Sequence, residues 1–288
     1  MSQFEDQFIT SGGIRTRYWS VGEGGIPLAL LHGLSGTIED WSETLPALSE
    51  NRRVVAIDLL GSGKTSKPAD CTYAPDTMRD HVLDVLDALS LNVVDMSGWS
   101  LGGRIALDIA CAAPHRLRRL VLTAPAGIGS DTMIDFSTSL PAVMGQAITR
   151  PGASGLRILL NAIHSGNSSR LASFSARRIS LFADIASRKA FIGQLKSFVG
   201  PKGFLEGPRH DLLAKLPMIQ TPTLAVWGRN DNLSPFHHSA VLVDLMPHCA
   251  LQVVKHCGHA PQIEWPDIYT GALRSFLDGS LAGGTSFL

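Results

Sequence analysis

Short continuous apolar runs alternate along the chain with segments in which apolar residues recur at helical spacing. The continuous runs predict buried strands: IPLALLH (26–32), RRVVAID (52–58), VVDMSGW (93–99), LRRLVLTAP (117–125), PTLAVWG (222–228) and ALQVVKH (250–256). The spaced runs predict helices: 38–50, 77–91, 101–113 and 267–279. Two further strands, 4–10 and 14–21, flank a glycine turn near the start. This alternation predicts a mostly parallel sheet covered by helices on both faces.

Residues 129–208 interrupt the alternation with helical patterns and no convincing strand. We therefore expect a core formed by residues 1–128 and 209–288, with residues 129–208 as a helical insertion between two strands. The insertion carries six Arg and three Lys against three Asp and one Glu. A solvated outer face is the ordinary source of such charge. The alternative is that some of these cations face an anionic substrate.

The 288 residues carry no formal net charge, because 25 Lys and Arg balance 25 Asp and Glu. Such a chain lacks the basic surface that binds nucleic acid or an anionic membrane. No apolar run approaches the ~20 residues of a transmembrane helix, and the first residues lack a signal-peptide pattern. Four scattered cysteines without a CxxC pair favour reduced thiols and a cytoplasmic location. We expect a small-molecule substrate, with no nucleic acid and no membrane as partner. The oligomeric state is left open.

The segment DLLGSGKTSKP, residues 58–68, ends like a P-loop, the phosphate-binding motif of many ATPases. That motif needs a glycine where Asp58 stands, and a carboxylate there repels phosphate oxygens. It also needs a helix directly after the loop, which Pro68 and Pro75 disfavour. Without a helix N-terminus to bind phosphate, we expect no nucleotide here.

The motif G-x-S-x-G occurs as Gly98, Ser100 and Gly102, between a predicted strand and a predicted helix. In that context the serine lies on a sharp, strained turn with its hydroxyl exposed, as a nucleophile requires. A Cβ two residues before or after it would clash with neighbouring backbone, so glycine is needed there. The helix N-terminus also favours negative charge that develops beside Ser100. An ordinary glycine-rich turn is the alternative.

A serine hydroxyl needs a base to accept its proton, and the base needs a carboxylate to orient it. His259 lies in the loop after the last predicted strand, and Asp231 in the loop after the strand before it. The order Ser100, Asp231, His259 is that of nucleophile-elbow hydrolases. Asp131 is the reserve for the acid, and His256, close to the strand end, is expected to be structural.

The anionic oxygen that forms when serine attacks a carbonyl needs two fixed hydrogen-bond donors, the oxyanion hole. We expect them to be the backbone N–H of Leu101, directly after the nucleophile, and that of Leu34, in the loop after the strand at 26–32. Gly33 and Trp99 are candidates for the pocket wall, although core packing explains Trp99 equally well.

Potential metal ligands cluster near the end of the chain, at His256, Cys257 and His259, with His237 and His238 before them. Loop residues, one of them catalytic, explain this cluster without a metal. Since no cysteine or carboxylate lies at the spacing of a ligand set, we expect no metal and no other cofactor.

Five segments occur together in a specific order and spacing: HGLSG (32–36), DLLGSG (58–63), GWSLGG (98–103), WGRND (227–231) and GHAPQIEWP (258–266). In these segments the chain resembles the α/β-hydrolase superfamily over nearly its full length. The resemblance implies an α/β-hydrolase fold with an eight-stranded, mostly parallel sheet, and residues 129–208 as a cap over the serine. It also implies that DLLGSG is a structural loop, with Gly61 and Gly63 shaping a turn and Lys64 in solvent.

The sequence and the resemblance predict a serine hydrolase that cleaves a carboxylic ester through an acyl-enzyme on Ser100. The similar haloalkane dehalogenases and epoxide hydrolases are excluded, because their nucleophile is Asp. C–C bond hydrolases of the meta-cleavage type are the nearest alternative. They usually have Asn where Trp99 stands and tend to have Trp where Ala260 stands. Lactonases, thioesterases and, in a different class, a non-catalytic ligand receptor on the same fold stay open.

Overall fold

A computed structural model describes residues 4–131, 176–178, 180–181, 183–200 and 203–279, and the backbone of residues 285–287. The strands in these ranges are Gln7–Ser11 (β1), Ile14–Val21 (β2), Leu28–Leu31 (β3), Val54–Ile57 (β4), Val94–Trp99 (β5), Leu117–Thr123 (β6), Val199–Gly200 (β7), Gly203–Phe204 (β8), Thr223–Gly228 (β9), Cys249–Val254 (β10) and Thr285–Phe287 (β11). The α-helices are Leu45–Leu48 (α1), Pro75–Ala88 (α2), Leu101–Ala112 (α3), Ile185–Phe198 (α4), Glu206–Leu213 (α5), His238–Leu245 (α6), Pro261–Glu264 (α7) and Pro266–Leu277 (α8). Among the helices in these ranges, none has the length and apolar character that crossing a membrane requires.

Nine of the strands form one sheet, in the order β1-β2-β4-β3-β5-β6-β9-β10-β11. β1 pairs with β2 and β2 with β4 in antiparallel orientation, whereas every pair from β4 to β11 is parallel. This confirms the predicted mostly parallel sheet. Beyond the eight strands expected, β11 adds a three-residue strand at the edge beside β10.

The central strands are buried on both faces. Every residue of β3, β4, β5 and β9 is buried, and four indoles, of Trp19, Trp41, Trp99 and Trp227, are at most 1% exposed. Strands covered on both faces carry continuous apolar runs instead of alternating ones, which is why the sequence identifies them. Because these strands are parallel, the loops after β3, β5, β9 and β10 all leave the same edge of the sheet.

The predicted continuous helix over residues 38–50 is wrong. Two short pieces form instead, a 3₁₀ helix at Ile38–Trp41 and α1. Pro46, within this segment, has no N–H to donate to a carbonyl one turn earlier. The N–H of Ser42 bonds to Glu39 and that of Thr44 to Trp41, both three residues back. The backbone therefore tightens into 3₁₀ geometry where the longer helix was expected.

The described part of residues 129–208 contains α4, β7, β8 and the start of α5. β7 and β8 form an antiparallel hairpin that pairs Val199 with Phe204. The sequence did not predict it, because two-residue strands leave no periodic pattern. The helical expectation for residues 132–175 falls outside the described residues, and the division into core and insertion stays a prediction.

The loop after β4 is a turn built around the buried carboxylate of Asp58. Its oxygens accept hydrogen bonds from the backbone N–H groups of Ile38 at 2.8 Å and Lys64 at 2.9 Å. A Cβ on Gly63, which has φ +52°, would lie 2.0 Å from Asp58 Oδ2. Backbone N–H groups of the 3₁₀ helix and of the glycine turn therefore hold Asp58, as expected of a structural loop. The ammonium of Lys64, expected in solvent, is 61% exposed and pairs with Asp6 at 2.6 Å.

His81 is a buried imidazole between α2 and β2 that links stability to pH. Its Nε2 lies 2.8 Å from Thr16 Oγ1, and burial lowers its pKa from 6.5 to about 4. As the pH falls below 6.5, the unfolded chain binds a proton that the folded protein binds only near pH 4. The stabilisation is complete above the unfolded pKa and is lost as the pH falls through this window.

For His81→Gln, whose side chain does not titrate, we expect a smaller loss of unfolding free energy between about pH 7.5 and about pH 4 than in the wild type. The difference should be about 3 kcal/mol, because one pKa unit corresponds to about 1.4 kcal/mol. Urea unfolding at both pH values measures it. His115→Gln, at an exposed position, is the control and should follow the wild type. Equal losses in wild type and His81→Gln would contradict the prediction.

Candidate active site

A single residue, Ser100, connects strand β5 to helix α3. Its backbone has φ 53° and ψ −112°, a region that costs a non-glycine residue about 1–3 kcal/mol. Neighbouring backbone holds it there: its N–H donates to Thr123 O at 2.9 Å, and its carbonyl accepts from Ala126 N at 3.0 Å. This is the sharp, strained turn that the G-x-S-x-G motif predicts.

The two glycines of the motif allow the turn to pack against its surroundings. A Cβ on Gly98 would lie 2.3 Å from Gly102 O, and a Cβ on Gly102 would lie 2.3 Å from Leu31 O. Both distances are far below van der Waals contact, and in both cases the atom met is backbone, which cannot swing aside. Strand, turn and helix therefore approach each other more closely than any side chain permits.

Asp231 and His259 are joined by a buried hydrogen bond. His259 Nδ1 lies 2.7 Å from Asp231 Oδ2, and the other carboxylate oxygen accepts from the N–H groups of Leu233 and Ser234, each at 2.8 Å. Since the carboxylate acts as acceptor in all three contacts, Nδ1 carries the ring hydrogen. The lone pair is then on Nε2. His256, three residues earlier, is exposed and takes no part in this contact.

His259 Nε2 is buried and has no hydrogen-bond partner within the described residues, so it is not bonded to Ser100 Oγ. The two residues are linked through Trp99. The Trp99 indole donates to the carbonyl of His259 at 2.7 Å, and the two ring centroids are 5.6 Å apart. Catalytic hydrogen bonds are often long before substrate binds. Nε2 is buried and unpaired, and the backbone of the same residue is anchored to Trp99, the neighbour of the serine. Both features fit a base.

Ser100 opens into a cavity with largely apolar walls. The cavity has a volume of about 60 Å³, whereas one water needs about 10–15 Å³. Its lining consists of Leu34, Ser100, Leu101, Ala126, Leu233 and Ser234 from the core side and of Gln194, Leu195, Phe198, Val199 and Phe204 from the inserted segment. Among the described residues of this lining, no side chain carries a charge, and the Gln194 amide donates to Leu60 O at 2.7 Å. The cavity therefore suits an uncharged, apolar group.

Leu34 and Leu101 both line this cavity, and the backbone N–H of neither residue bonds to another described residue. The direction of the Leu34 N–H is fixed through the preceding carbonyl. Gly33 O accepts from Gly36 N at 2.9 Å and lies 2.8 Å from His32 Nδ1. In a planar trans peptide the C=O and the following N–H point in opposite directions. The bonds to Gly33 O therefore set where the Leu34 N–H points.

The tautomer of His32 follows from its two contacts. Its Nε2 accepts the N–H of Leu59 at 3.0 Å, so Nδ1 carries the hydrogen and donates to Gly33 O. Burial lowers the pKa of His32 to about 4, which keeps the ring neutral near pH 7. A neutral imidazole can accept on one side and donate on the other, as this loop requires.

Gly33 and Trp99, the candidates for the pocket wall, do not line this cavity. Trp99 is 1% exposed, and a Cβ on Gly33 would lie 3.1 Å from its ring and 3.2 Å from Ser100 Cβ. The glycine lets the loop after β3 lie directly on the indole beside Ser100. These contacts favour the core-packing interpretation of Trp99.

Asp131, the reserve for the acid, does not contact His259. Its Oδ1 lies 2.8 Å from His238 Nε2 and its Oδ2 3.0 Å from His237 Nε2. The potential ligand atoms of these three residues lie within 4.8 Å of one another, a grouping that the sequence spacing did not indicate. Mutual hydrogen bonds account for it, and the expectation of no metal stays a prediction.

Glu264 is a buried carboxylate that holds the His259 loop and that sequence reasoning missed. It accepts from Gly258 N at 3.0 and 3.1 Å and from Ala260 N at 3.2 Å. The N–H groups on both sides of His259 thus end on one side chain. Burial raises the pKa of Glu264. A signal was present in the sequence: a lone acid in the otherwise uncharged segment PQIEW, five residues after His259.

Asp40 and Arg178 form a second unpredicted feature, a buried ion pair beside the loop that carries Leu34. The two residues are 138 positions apart, and no local pattern connects them. Arg178 is one of the cations of the insertion whose role the sequence left open.

Comparisons with known proteins identify the family of this chain. The family model described as alpha/beta hydrolase fold matches residues 26–266. The 2-hydroxymuconate semialdehyde hydrolase of Pseudomonas sp. (strain CF600) is 31% identical over 272 residues, which cover 93% of this chain and 92% of that protein. The 2-hydroxy-6-oxo-6-(2'-aminophenyl)hexa-2,4-dienoic acid hydrolase of Metapseudomonas resinovorans is 29% identical over 280 residues, 96% of this chain and 92% of that protein.

Solved structures show the same relationship. A mutant of the meta-cleavage product hydrolase from Pseudomonas fluorescens IP01 superposes with a TM-score of 0.76 at 27% identity, covering 96% of this chain and 98% of that one.

For Glu264→Gln we expect slower phosphonylation of Ser100 by a fluorophosphonate, a reagent that labels activated serines. The amide NH₂ would face a backbone N–H that now ends on a carboxylate oxygen, leaving a buried donor unpaired at a cost of about 1–3 kcal/mol. The displaced His259 loop should slow labelling by about 10- to 100-fold. Glu23→Gln, at an exposed position, is the matched control. An unchanged labelling rate in folded Glu264→Gln would show that other contacts hold the loop.

Proposed function

The chain belongs to the α/β-hydrolase fold family, and we propose that it hydrolyses carboxylic esters with an apolar acyl group through a covalent acyl-enzyme on Ser100. That it is a hydrolase of this fold follows from the family. The ester substrate and the residue roles are the proposal. The observation that carries it is the strained turn that presents Ser100 to a cavity whose described lining residues are uncharged and include Leu34 and Leu101.

Acylation uses each group in turn. His259 Nε2 takes the proton from Ser100 Oγ as that oxygen bonds to the carbonyl carbon. The carbonyl oxygen becomes an anion and accepts hydrogen bonds from the N–H groups of Leu34 and Leu101, and loss of one such donor typically costs about 10²–10³ in turnover. His259 then gives its proton to the alcohol oxygen, the C–O bond breaks and the alcohol leaves. Ser100 now carries the acyl group as an ester.

Deacylation repeats these steps with water. His259 takes a proton from water while the water oxygen bonds to the acyl carbon, and it returns that proton to Ser100 Oγ as the carboxylic acid departs. Asp231 keeps the Nδ1 tautomer and stabilises the imidazolium in both halves; loss of the equivalent carboxylate charge elsewhere costs about 10⁴ in turnover.

The inserted segment contributes to substrate choice in this proposal. Gln194, Leu195 and Phe198 of α4, with Val199 and Phe204 of the hairpin, line the cavity that Ser100 enters. These positions support the proposal that residues 129–208 form a cap over the serine and shape the site for the acyl group. Apolar walls favour an alkyl or aryl chain, since burying apolar surface contributes about 25 cal/mol per Å².

A C–C bond hydrolase of the meta-cleavage type is the second candidate. It is favoured by the two relatives and the solved structure above, whose names state that activity or substrates of that kind. Trp99 and Ala260 speak against it, because they stand where such enzymes usually have Asn and Trp. The cavity speaks against it too, because none of its described lining residues offers a cation to a substrate carboxylate.

The test is hydrolysis of p-nitrophenyl esters from acetate to octanoate, with a 2-hydroxy-6-oxohexa-2,4-dienoate as the competing substrate. We expect the wild type to turn over esters fastest at short acyl chains such as butyrate and hexanoate, since the cavity is small and apolar. Ser100→Ala should lose at least about 10⁴-fold in kcat. Ser180→Ala, at an exposed position, is the matched control and should behave as the wild type.

Three other results would contradict this proposal. Dienoate cleavage faster than that of any ester would establish the C–C hydrolase. Ester turnover that survives in folded Ser100→Ala would refute the acyl-enzyme. A folded wild type that gives neither a burst of p-nitrophenol nor turnover would favour a ligand receptor.

A further inference from the structure

We propose that Arg178 is a positioning residue that couples the inserted segment to the oxyanion hole, by holding the loop that carries the Leu34 N–H. The proposal rests on the proposed function, because the oxyanion hole matters only if Ser100 attacks a carbonyl or a similar electrophile. It assigns a role to one of the insertion's cations that is different from binding an anionic substrate.

Arg178 reaches the loop after β3 through three hydrogen bonds. Two form a fork on the Asp40 carboxylate, at 3.0 Å to Oδ1 and 2.7 Å to Oδ2, and the Nε–H donates to Ser35 Oγ at 3.3 Å. The guanidinium also lies 5.7 Å from the Trp99 ring centroid. The side chain of Arg178 is 2% exposed and that of Asp40 fully buried. A buried bidentate ion pair of this kind fixes both side chains in one geometry.

The loop needs such a hold because its backbone is strained. Ser35, directly after Leu34, has φ 59°, a conformation that persists in a non-glycine residue only where surrounding contacts impose it. Gly36 N closes the turn on Gly33 O, and Thr37 N donates to Asp40 Oδ2 at 3.3 Å. Arg178 is bound to both ends of this stretch, Ser35 and Asp40. Its removal would leave a buried carboxylate without its cation, next to the oxyanion donor.

Arg178 is oriented towards the loop and not towards the cavity. It is absent from the cavity lining, and its Nε and both terminal nitrogens bond to Ser35 or Asp40. These bonds use three of the five guanidinium N–H groups, and the edge that meets the loop is occupied by Asp40 and Ser35. The positive charge of this residue is therefore used inside the protein, to dock the insertion on the loop that orients Leu34.

The test is a double-mutant cycle on Arg178 and Asp40, with Arg177→Met as matched control. Arg177 is the exposed neighbour in the same helical turn, so its loss changes net charge equally. The variants are Arg178→Met, Arg178→Lys, Asp40→Asn and the Arg178→Met/Asp40→Asn double. Readouts are kcat and KM on p-nitrophenyl butyrate and on the anionic mono-p-nitrophenyl glutarate, the Ser100 phosphonylation rate, and Tm.

We expect Arg178→Met and Asp40→Asn each to lower kcat by about 10- to 10³-fold on both esters, as loss of an oxyanion donor does, with little change in KM. The double variant should lose no more than either single one, because the two residues act as a unit. Arg178→Lys should recover only part of kcat, since an ammonium cannot form the fork. It also serves as the test variant if Arg178→Met does not fold. Arg177→Met should match the wild type.

Four results would overturn the proposal. A rise in KM confined to the glutarate ester would make Arg178 a substrate-binding residue. A lower Tm with unchanged kcat in the folded variants would leave the pair a purely structural role. Additive losses of kcat in the double variant would show that Arg178 and Asp40 act independently. Phosphonylation distinguishes this proposal from the proposed function: an unlabelled wild type refutes the nucleophile itself, whereas equal labelling of wild type and Arg178→Lys refutes only the coupling.

Discussion

Strand β5 and helix α3 are joined by one residue, and this short connection dictates the geometry of the whole site. One residue can reverse the chain so tightly only in the left-handed region, where Ser100 lies. The turn places the N–H of Leu101 at the start of the helix. It also puts Trp99 against the carbonyl of His259. In the proposed function, three consecutive residues, Trp99, Ser100 and Leu101, therefore set the anchor of the base, the nucleophile and one oxyanion donor.

Several buried charges in the described part of the chain are paired away from the cavity. Arg17 contacts Asp58 at 3.2 Å beneath the glycine turn. Asp95 forms ion pairs with Arg118 and, at 3.5 Å, with Arg52. Such pairs contribute little net stability, since desolvation offsets their attraction, but breaking one leaves an isolated charge that costs several kcal/mol. They keep fixed charges out of the cavity lining. The electrostatic field at Ser100 then comes mainly from nearby backbone N–H groups and from the Asp231–His259 pair.

Much of this architecture is predictable because it depends on local signals. Buried parallel strands read as continuous apolar runs, and Ser100, Asp231 and His259 each follow such a strand, where parallel strands end together. The structure brings Asp231 and His259 into contact and leaves Ser100 linked to them through Trp99. The helix expected at 38–50 failed for a local reason that periodicity does not capture, the prolyl nitrogen within it.

The missed features depend on contacts that no window of sequence contains. Glu264 has a role only once α7 folds its carboxylate back onto the N–H groups around His259. The Arg178–Asp40 pair exists only when the insertion packs on the loop after β3. The sequence around either residue therefore gives no sign of it. Burial decided both, because a carboxylate removed from water must find donors. Sequence periodicity predicts which faces are buried but not which distant partner a buried charge will meet.

The ion pair across the insertion has a consequence for protein engineering. Lining residues on α4 and on the hairpin can be exchanged while Ser100, His259 and Asp231 stay in place. A chimaera that replaces the whole inserted segment with that of another hydrolase would discard Arg178 and strand Asp40 in the interior. The recipient scaffold would need either an arginine at the equivalent place or an uncharged side chain at position 40. A grafted insertion and its host must therefore be chosen so that the residues at these two positions match.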